Sequence, residues 1–108
     1  MKTQTTATAY KVNTIDINAK EWFDKANGNS YFSGQIIVNY KLENEKRFFM
    51  PFQYGYGDFY LWQSLETLKA ANILPEYVVT LHQLQDAGTI IRYNKLKTLK
   101  RELKEENF

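Results

Sequence analysis

"YFSGQIIVNYKLENEKRFFMPFQY", residues Tyr31 to Tyr54, decides the fold. Side chains on a strand alternate between two faces. Here Phe32, Gly34, Ile36, Val38 and Tyr40 fall on one face, Tyr31, Ser33, Gln35 and Asn39 fall on the other, and Ile37 is the exception. The polar KLENEK that follows interrupts the apolar pattern, after which Phe48, Met50, Phe52 and Tyr54 alternate along a returning strand. Two alternating runs joined by a short polar loop make a β-hairpin. Pro51 has no N–H to give to a ladder, so the returning strand belongs at a sheet edge or turns its proline away from its neighbour.

Upstream of the hairpin, Val12, Thr14, Ile15 and Ile17 predict a strand over Tyr10–Ile17, and the change of apolar parity between Val12 and Ile15 predicts a bulge or bend. NAKE at Asn18–Glu21 has capping-box spacing, which predicts a short helical turn around Trp22 and Phe23 before NGN breaks it. Downstream, the period changes at Asp58. Leu61, Leu65 and Leu68 follow at i, i+4 and i+7, with Asp58 as the expected N-cap.

Pro75 at a first helical position, then Tyr77, Val78, Leu81 and Leu84 up to Gly88, predict a second helix. TIIRY is a short strand, and Leu96, Leu99 and Leu103 mark one face of a C-terminal helix. The order strand, strand, strand, helix, helix, strand, helix points to an α+β domain. Its antiparallel or mixed sheet, built from the hairpin and extra strands, would carry two or three helices on one face.

The chain has 108 residues and is 44% hydrophobic, which fits one core; residues 10–108 read as a single domain and residues 1–9 as a disordered N-terminus. A formal charge of +2 is too small for a global nucleic-acid footprint. With no cysteine, disulfides, thiolate catalysis and cysteine-ligated zinc are excluded. No segment approaches the roughly 18 apolar residues of a membrane span, and no export signal opens the chain, so the expected location is the cytoplasm.

Between the hairpin and the first helix lies PFQYGYGDFYLW, residues Pro51 to Trp62. Gly55 and Gly57 permit positive φ where an edge strand turns into a helix, and such a turn can also cradle a phosphate. Asp58 argues against an anion, because its carboxylate would occupy the helix start, and no P-loop lysine follows. Gly55, Gly57 and Asp58 are therefore read as a structural turn. Phe52 and Trp62 are expected in the core. Tyr54, Tyr56 and Tyr60 cannot all point inward, and they become the candidate partner-binding residues, because Tyr anchors interfaces.

These motifs carry a resemblance. Trp22, Phe23, Gly28, Asn29, Ser30 and Tyr31, followed by Tyr54, Gly55, Tyr56, Gly57 and Asp58, resemble a group of small proteins found mostly in bacteriophages and prophages. That pattern has a Trp-Phe start, a Gly-Asn-Ser/Thr-Tyr strand entry and a Tyr-Gly-Tyr-Gly-acid turn into a helix. The residue after the entry Tyr is His in many relatives and is Phe32 here. The resemblance implies a phage-associated origin in a bacterial host cell and supplies no activity.

Catalysis gains little from the residues. His82, the single histidine, has no Ser or Cys beside it in sequence. No calcium loop or H-E-x-x-H helix appears, and nothing singles out Asp16, Asp24 and Asp58 as a glycosidase set. The chain is read as non-enzymatic, with no cofactor and no metal. Its strongest charge feature is basic: Arg92, Lys95, Lys97, Lys100, Arg101 and Lys104, with Tyr93 as a stacking partner, are the candidate nucleic-acid contacts of the C-terminal helix. Two functions follow. The first is an accessory protein binding a host or defence protein, or a second copy of itself, through the tyrosine corner. The second is a nucleic-acid-binding module using the basic helix.

Overall fold

The computed structural model describes residues 12–100. Strands β1 (Thr14–Asp24), β2 (Asn29–Val38) and β3 (Lys46–Tyr54) come first, then helices α1 (Phe59–Ala70) and α2 (Leu81–Asp86), then strand β4 (Ile90–Lys97). The sheet order is β3-β2-β1-β4. β1 is antiparallel to β2, β2 to β3, and β4 lies parallel to β1. The chain is thus α+β with a mixed sheet, and Pro51 lies on an edge strand. The expected disordered residues 1–9 and the far end of the C-terminal helix lie outside the described residues. No helix among the described residues is long and apolar enough to cross a membrane.

One face of the sheet makes the core. Ile15, Ile17 and Ala19 of β1 and Phe32, Ile36 and Val38 of β2 share it with Met50 of β3, under Tyr60, Leu65 and Leu68 of α1. Ile73, Leu74, Val78 and Leu84 extend the same cluster. α1 packs against β1, β2 and β3, and α2 against β4. By strand alternation the opposite face carries Asp16, Asn18, Gln35, Arg92 and Asn94. Ile37, the exception to the hairpin pattern, lies on this second face between Asp16 and Arg47 and is nevertheless buried.

Two expectations about β1 and β3 are corrected. The helical turn over Asn18–Glu21 does not form, because these residues continue β1 with Asn18 opposite Gln35, Ala19 opposite Gly34, Lys20 opposite Ser33 and Glu21 opposite Phe32. Backbone groups that a capping box would satisfy are taken up by the ladder instead. The chain turns later, where Asp24 accepts bonds from the backbone N–H of Ala26 and Asn27 and from the Asn27 side chain. The side-chain bond from Asn27 is the chief reason the Asp24 carboxyl sits below its ordinary range. The parity change between Val12 and Ile15 falls where the chain enters β1, which begins between them at Thr14, and Val12 packs against the same core as Ile15. A bulge lies in β3, where Phe32 opposes Gln53 and Gly34 opposes Met50, leaving Pro51 and Phe52 against Ser33 alone. The extra residue changes the parity of β3. Phe48 and Met50 face the helices, whereas Phe52 stacks on Tyr31 on the other face and is only partly buried.

The helices differ from expectation at their starts. Asp58 occupies the N-cap position of α1, but its side chain makes no capping bond. α2 is shorter than predicted and begins after Thr80 rather than at Pro75. Thr80 accepts from the Gln83 N–H at 3.3 Å, and Gln83 Oε1 accepts from the N–H groups of Thr80 at 3.0 Å and Val79 at 2.6 Å. That capping box sets the helix start, with Pro75 to Val79 running into it as turn and extended chain. Thr80→Ala is therefore expected to cost about 1 kcal/mol, and Asp58→Ala less than about 0.5 kcal/mol, in urea denaturation of the two variants.

The largest correction concerns the basic segment. Residues 90–97 form strand β4, so Arg92, Tyr93, Lys95 and Lys97 do not share a helix face. Side-chain contacts on the face away from the helices help hold this strand on β1. Arg92 bonds Asp16 through Nε at 2.6 Å and Nη2 at 3.0 Å, and the Asn94 amide donates to Asn18 Oδ1 at 3.0 Å.

Candidate functional site

The Pro51–Trp62 stretch forms an aromatic corner where β3 ends and α1 begins. The backbone first holds the turn: Gly55 N–H donates to Ser30 O at 3.0 Å and Phe59 N–H to Tyr56 O at 3.2 Å. Gly55 is buried, and a Cβ there would lie 2.6 Å from Phe59 Cδ2 and 2.8 Å from Phe32 Cε1. Glycine at 55 thus lets two rings close over the backbone. Gly57 serves differently, adopting φ +63 with open space around it.

Lys95 secures the turn from the far side of the sheet. Its ammonium donates to Gly57 O at 2.7 Å, pairs with Glu21 at 3.2 Å, and stands 5.4 Å from the centroid of the Tyr60 ring. Both charged side chains are largely buried. Tyr60, a candidate contact residue from sequence, is itself only 5% exposed and belongs to the core. Burial, reinforced by Asp58 and Tyr93, raises its pKa above 10.0.

What remains outside is four rings: Tyr54, on the sheet face that also carries Tyr31, and Tyr56, Phe59 and Trp62 along the turn and the start of α1. Exposure runs from 39% at Phe59 through 50% at Trp62 and 59% at Tyr54 to 72% at Tyr56. The set is supported from beneath. Phe59 meets Phe32 edge-on at 6.0 Å and lies 5.2 Å from Trp62. Tyr54 meets Tyr31 edge-on at 5.9 Å, and Tyr31 is the middle of a row across three strands, stacked on Phe52 at 5.2 Å and Trp22 at 5.7 Å. Lys100 covers the outer Trp22 ring at 5.3 Å. The row spends its ring faces on itself, so it reads as scaffold, while Tyr54, Tyr56, Phe59 and Trp62 present apolar area to solvent.

Of the three candidate tyrosines, Tyr54 and Tyr56 are exposed and Tyr60 is buried. Phe59 and Trp62 were missed as surface residues. The missing signal was helical: Leu61, Leu65 and Leu68 define one stripe, and Phe59 and Trp62 start beside it rather than within it. Trp62, expected in the core, is displaced outward because Tyr60 and Ser64 take the inward positions.

The candidate nucleic-acid contacts separate rather than converge. Arg92 is held by Asp16, whose hydrogen bond and charge raise its pKa, and Lys95 is committed to Glu21 and Gly57. Tyr93 and Lys97 are exposed on β4, and Lys100 caps the aromatic row. Arg101 and Lys104 lie outside the described residues. Of the carboxylates weighed for glycoside chemistry, Asp16 stands far from Asp24. Asp16 and Asp24 sit on one strand, eight residues and so roughly 26 Å apart, against the roughly 5 to 9.5 Å such pairs need. His82 is exposed beside Asp86 at 3.5 Å, and no metal-ligating cluster occurs among the described residues. Compared with protein-family models, with curated proteins and with solved structures, the chain finds no match in any of the three.

Proposed function

We propose that this chain is a small, non-enzymatic accessory protein of phage type that binds another protein through the aromatic corner of Tyr54, Tyr56, Phe59 and Trp62. The observation that carries the reading is their exposure, 39 to 72%, within residues 54–62, where β3 gives way to α1. Isolated exposed apolar residues are ordinary, but large exposed rings gathered where one strand turns into a helix favour an interaction surface. Tyr and Trp contribute large contact area with few torsions to immobilise, and they dominate measured hot spots. Gly55, the Lys95–Glu21 pair and the Phe32 ring fix the corner before a partner arrives, which lowers the ordering cost of association. The motif resemblance supports a partner inside the bacterial host, a host or defence protein.

Affinity capture from host lysate, with and without nuclease, tests the reading. Capture of a defined protein is expected to survive nuclease and to be lost in Tyr56→Ala and Trp62→Ala, each truncation costing about 2 kcal/mol or more if it is a hot spot. Both side chains are at least half exposed, so their loss leaves the fold intact. Nuclease-sensitive capture that ignores both truncations supports the nucleic-acid module instead.

A further inference from the structure

The two edges of the sheet are not alike. β3 is protected in the ways natural edges usually are, with Pro51 and a bulge in mid-strand and Lys46 and Arg47 at its start. β4 has no proline and no bulge over Ile90–Lys97, and it carries Ile90, Tyr93 and Leu96 each more than half exposed. A long regular edge bearing apolar side chains is a template for another strand.

The ladder with β1 shows which groups that edge offers. Ile90 N–H donates to Asn13 O and Thr98 N–H to Glu21 O. In a parallel ladder alternate residues turn toward the same neighbour. The even-numbered residues of β4 therefore bond β1, and Ile91, Tyr93, Lys95 and Lys97 direct their N–H and C=O groups outward.

We propose that β4 pairs antiparallel with β4 of a second copy of this chain, about a two-fold axis beside Tyr93, extending the sheet across both molecules. Outward-facing residues must oppose outward-facing residues, which leaves few registers. Centring the axis on Arg92 or on Lys95 sets like charges face to face. Centring it on Asn94 sets Leu96 against Arg92. Centring it on Tyr93 pairs Tyr93 with its own copy and Ile91 with Lys95, and on the open face pairs Ile90 with Leu96 twice and Arg92 with Asn94 twice. No like charges meet, and the two exposed aliphatic residues of each strand cover each other. The pairing edge lies across the sheet from Tyr54, on the opposite edge strand, and meets the corner through the Lys95 side chain.

Sedimentation equilibrium of the full chain across the micromolar range tests this, read with two double variants. A concentration-dependent dimer is expected. Ile90→Lys with Leu96→Lys places like charges in both open-face pairs and is expected to weaken the dimer roughly tenfold or more. Ile90→Lys with Leu96→Glu places opposite charges there and is expected to restore it. Circular dichroism confirms that both variants fold. Because the chain has no cysteine, Tyr93→Cys gives an independent readout: a hydrogen-bonded antiparallel pair sets Cα atoms about 5.5 Å apart, within disulfide range, so an oxidised dimer is expected. A monomer at every concentration, a Tyr93→Cys chain that does not cross-link, or equal behaviour of the two double variants overturns the proposal.

Discussion

Ile36→Ala is expected to destabilise the protein by about 2 to 5 kcal/mol, the range for removing a buried aliphatic side chain and leaving a cavity. Ile36 has no exposed surface and stands at the centre of the sheet, with Ile17 opposite on β1 and Phe48 opposite on β3. It shares the core with Leu65 and Leu68 of α1, so its loss opens the contact between helix and sheet rather than an edge of the core. A domain of this size has about 5 to 15 kcal/mol in total, so the change removes a large fraction. Urea denaturation checks it, with Val79→Ala as an exposed control expected to stay within about 0.5 kcal/mol of the parent. An unchanged midpoint for Ile36→Ala contradicts the register of β2.

Gly55→Ala is expected to cost about 1 to 3 kcal/mol, as overpacking does, and to deform the corner. The added Cβ falls inside contact distance of two rings, 2.6 Å from Phe59 and 2.8 Å from Phe32. Phe32 is buried and cannot retreat, so the turn and Phe59 must move. Gly57→Ala meets no atoms within 4 Å and carries only the backbone penalty of φ +63, about 1 to 2 kcal/mol. The two variants therefore separate by location of damage. Gly55→Ala should alter tryptophan fluorescence through the Phe59–Trp62 contact, and Gly57→Ala should leave it near the parent spectrum.

The hairpin was legible because its information is local: alternation, a polar loop and a proline lie within residues 31–54. What failed was decided by distant partners. Asn18–Glu21 has the letters of a capping box, yet pairing with residues 32–35 outcompetes one helical turn. The leucines at 96, 99 and 103 have helical spacing, but residues 90–97 are claimed by β1, through Arg92 to Asp16 and Asn94 to Asn18, contacts that span 76 positions. Such pairings leave little trace in a single sequence. The bulge at Pro51 and Phe52 has the same character, since one inserted residue moves Phe52 and Tyr54 to the other face without changing the local pattern. At the site, the need for exposed tyrosine was legible. Which tyrosine is buried was not, because Tyr60 is defined by Lys95 and Tyr93 arriving from β4.

The central claim is that the aromatic corner, and not the basic segment, makes the functional contact. It is tested most directly by titrating the captured partner, at low and at physiological salt, with the parent chain, with Tyr56→Ala/Trp62→Ala and with Lys97→Glu/Lys100→Glu. The account predicts at least about a tenfold loss of affinity for the aromatic pair at both salts, and little change for the charge reversals. Affinity that falls steeply with salt, is abolished by the charge reversals and is untouched by the aromatic truncations would contradict it.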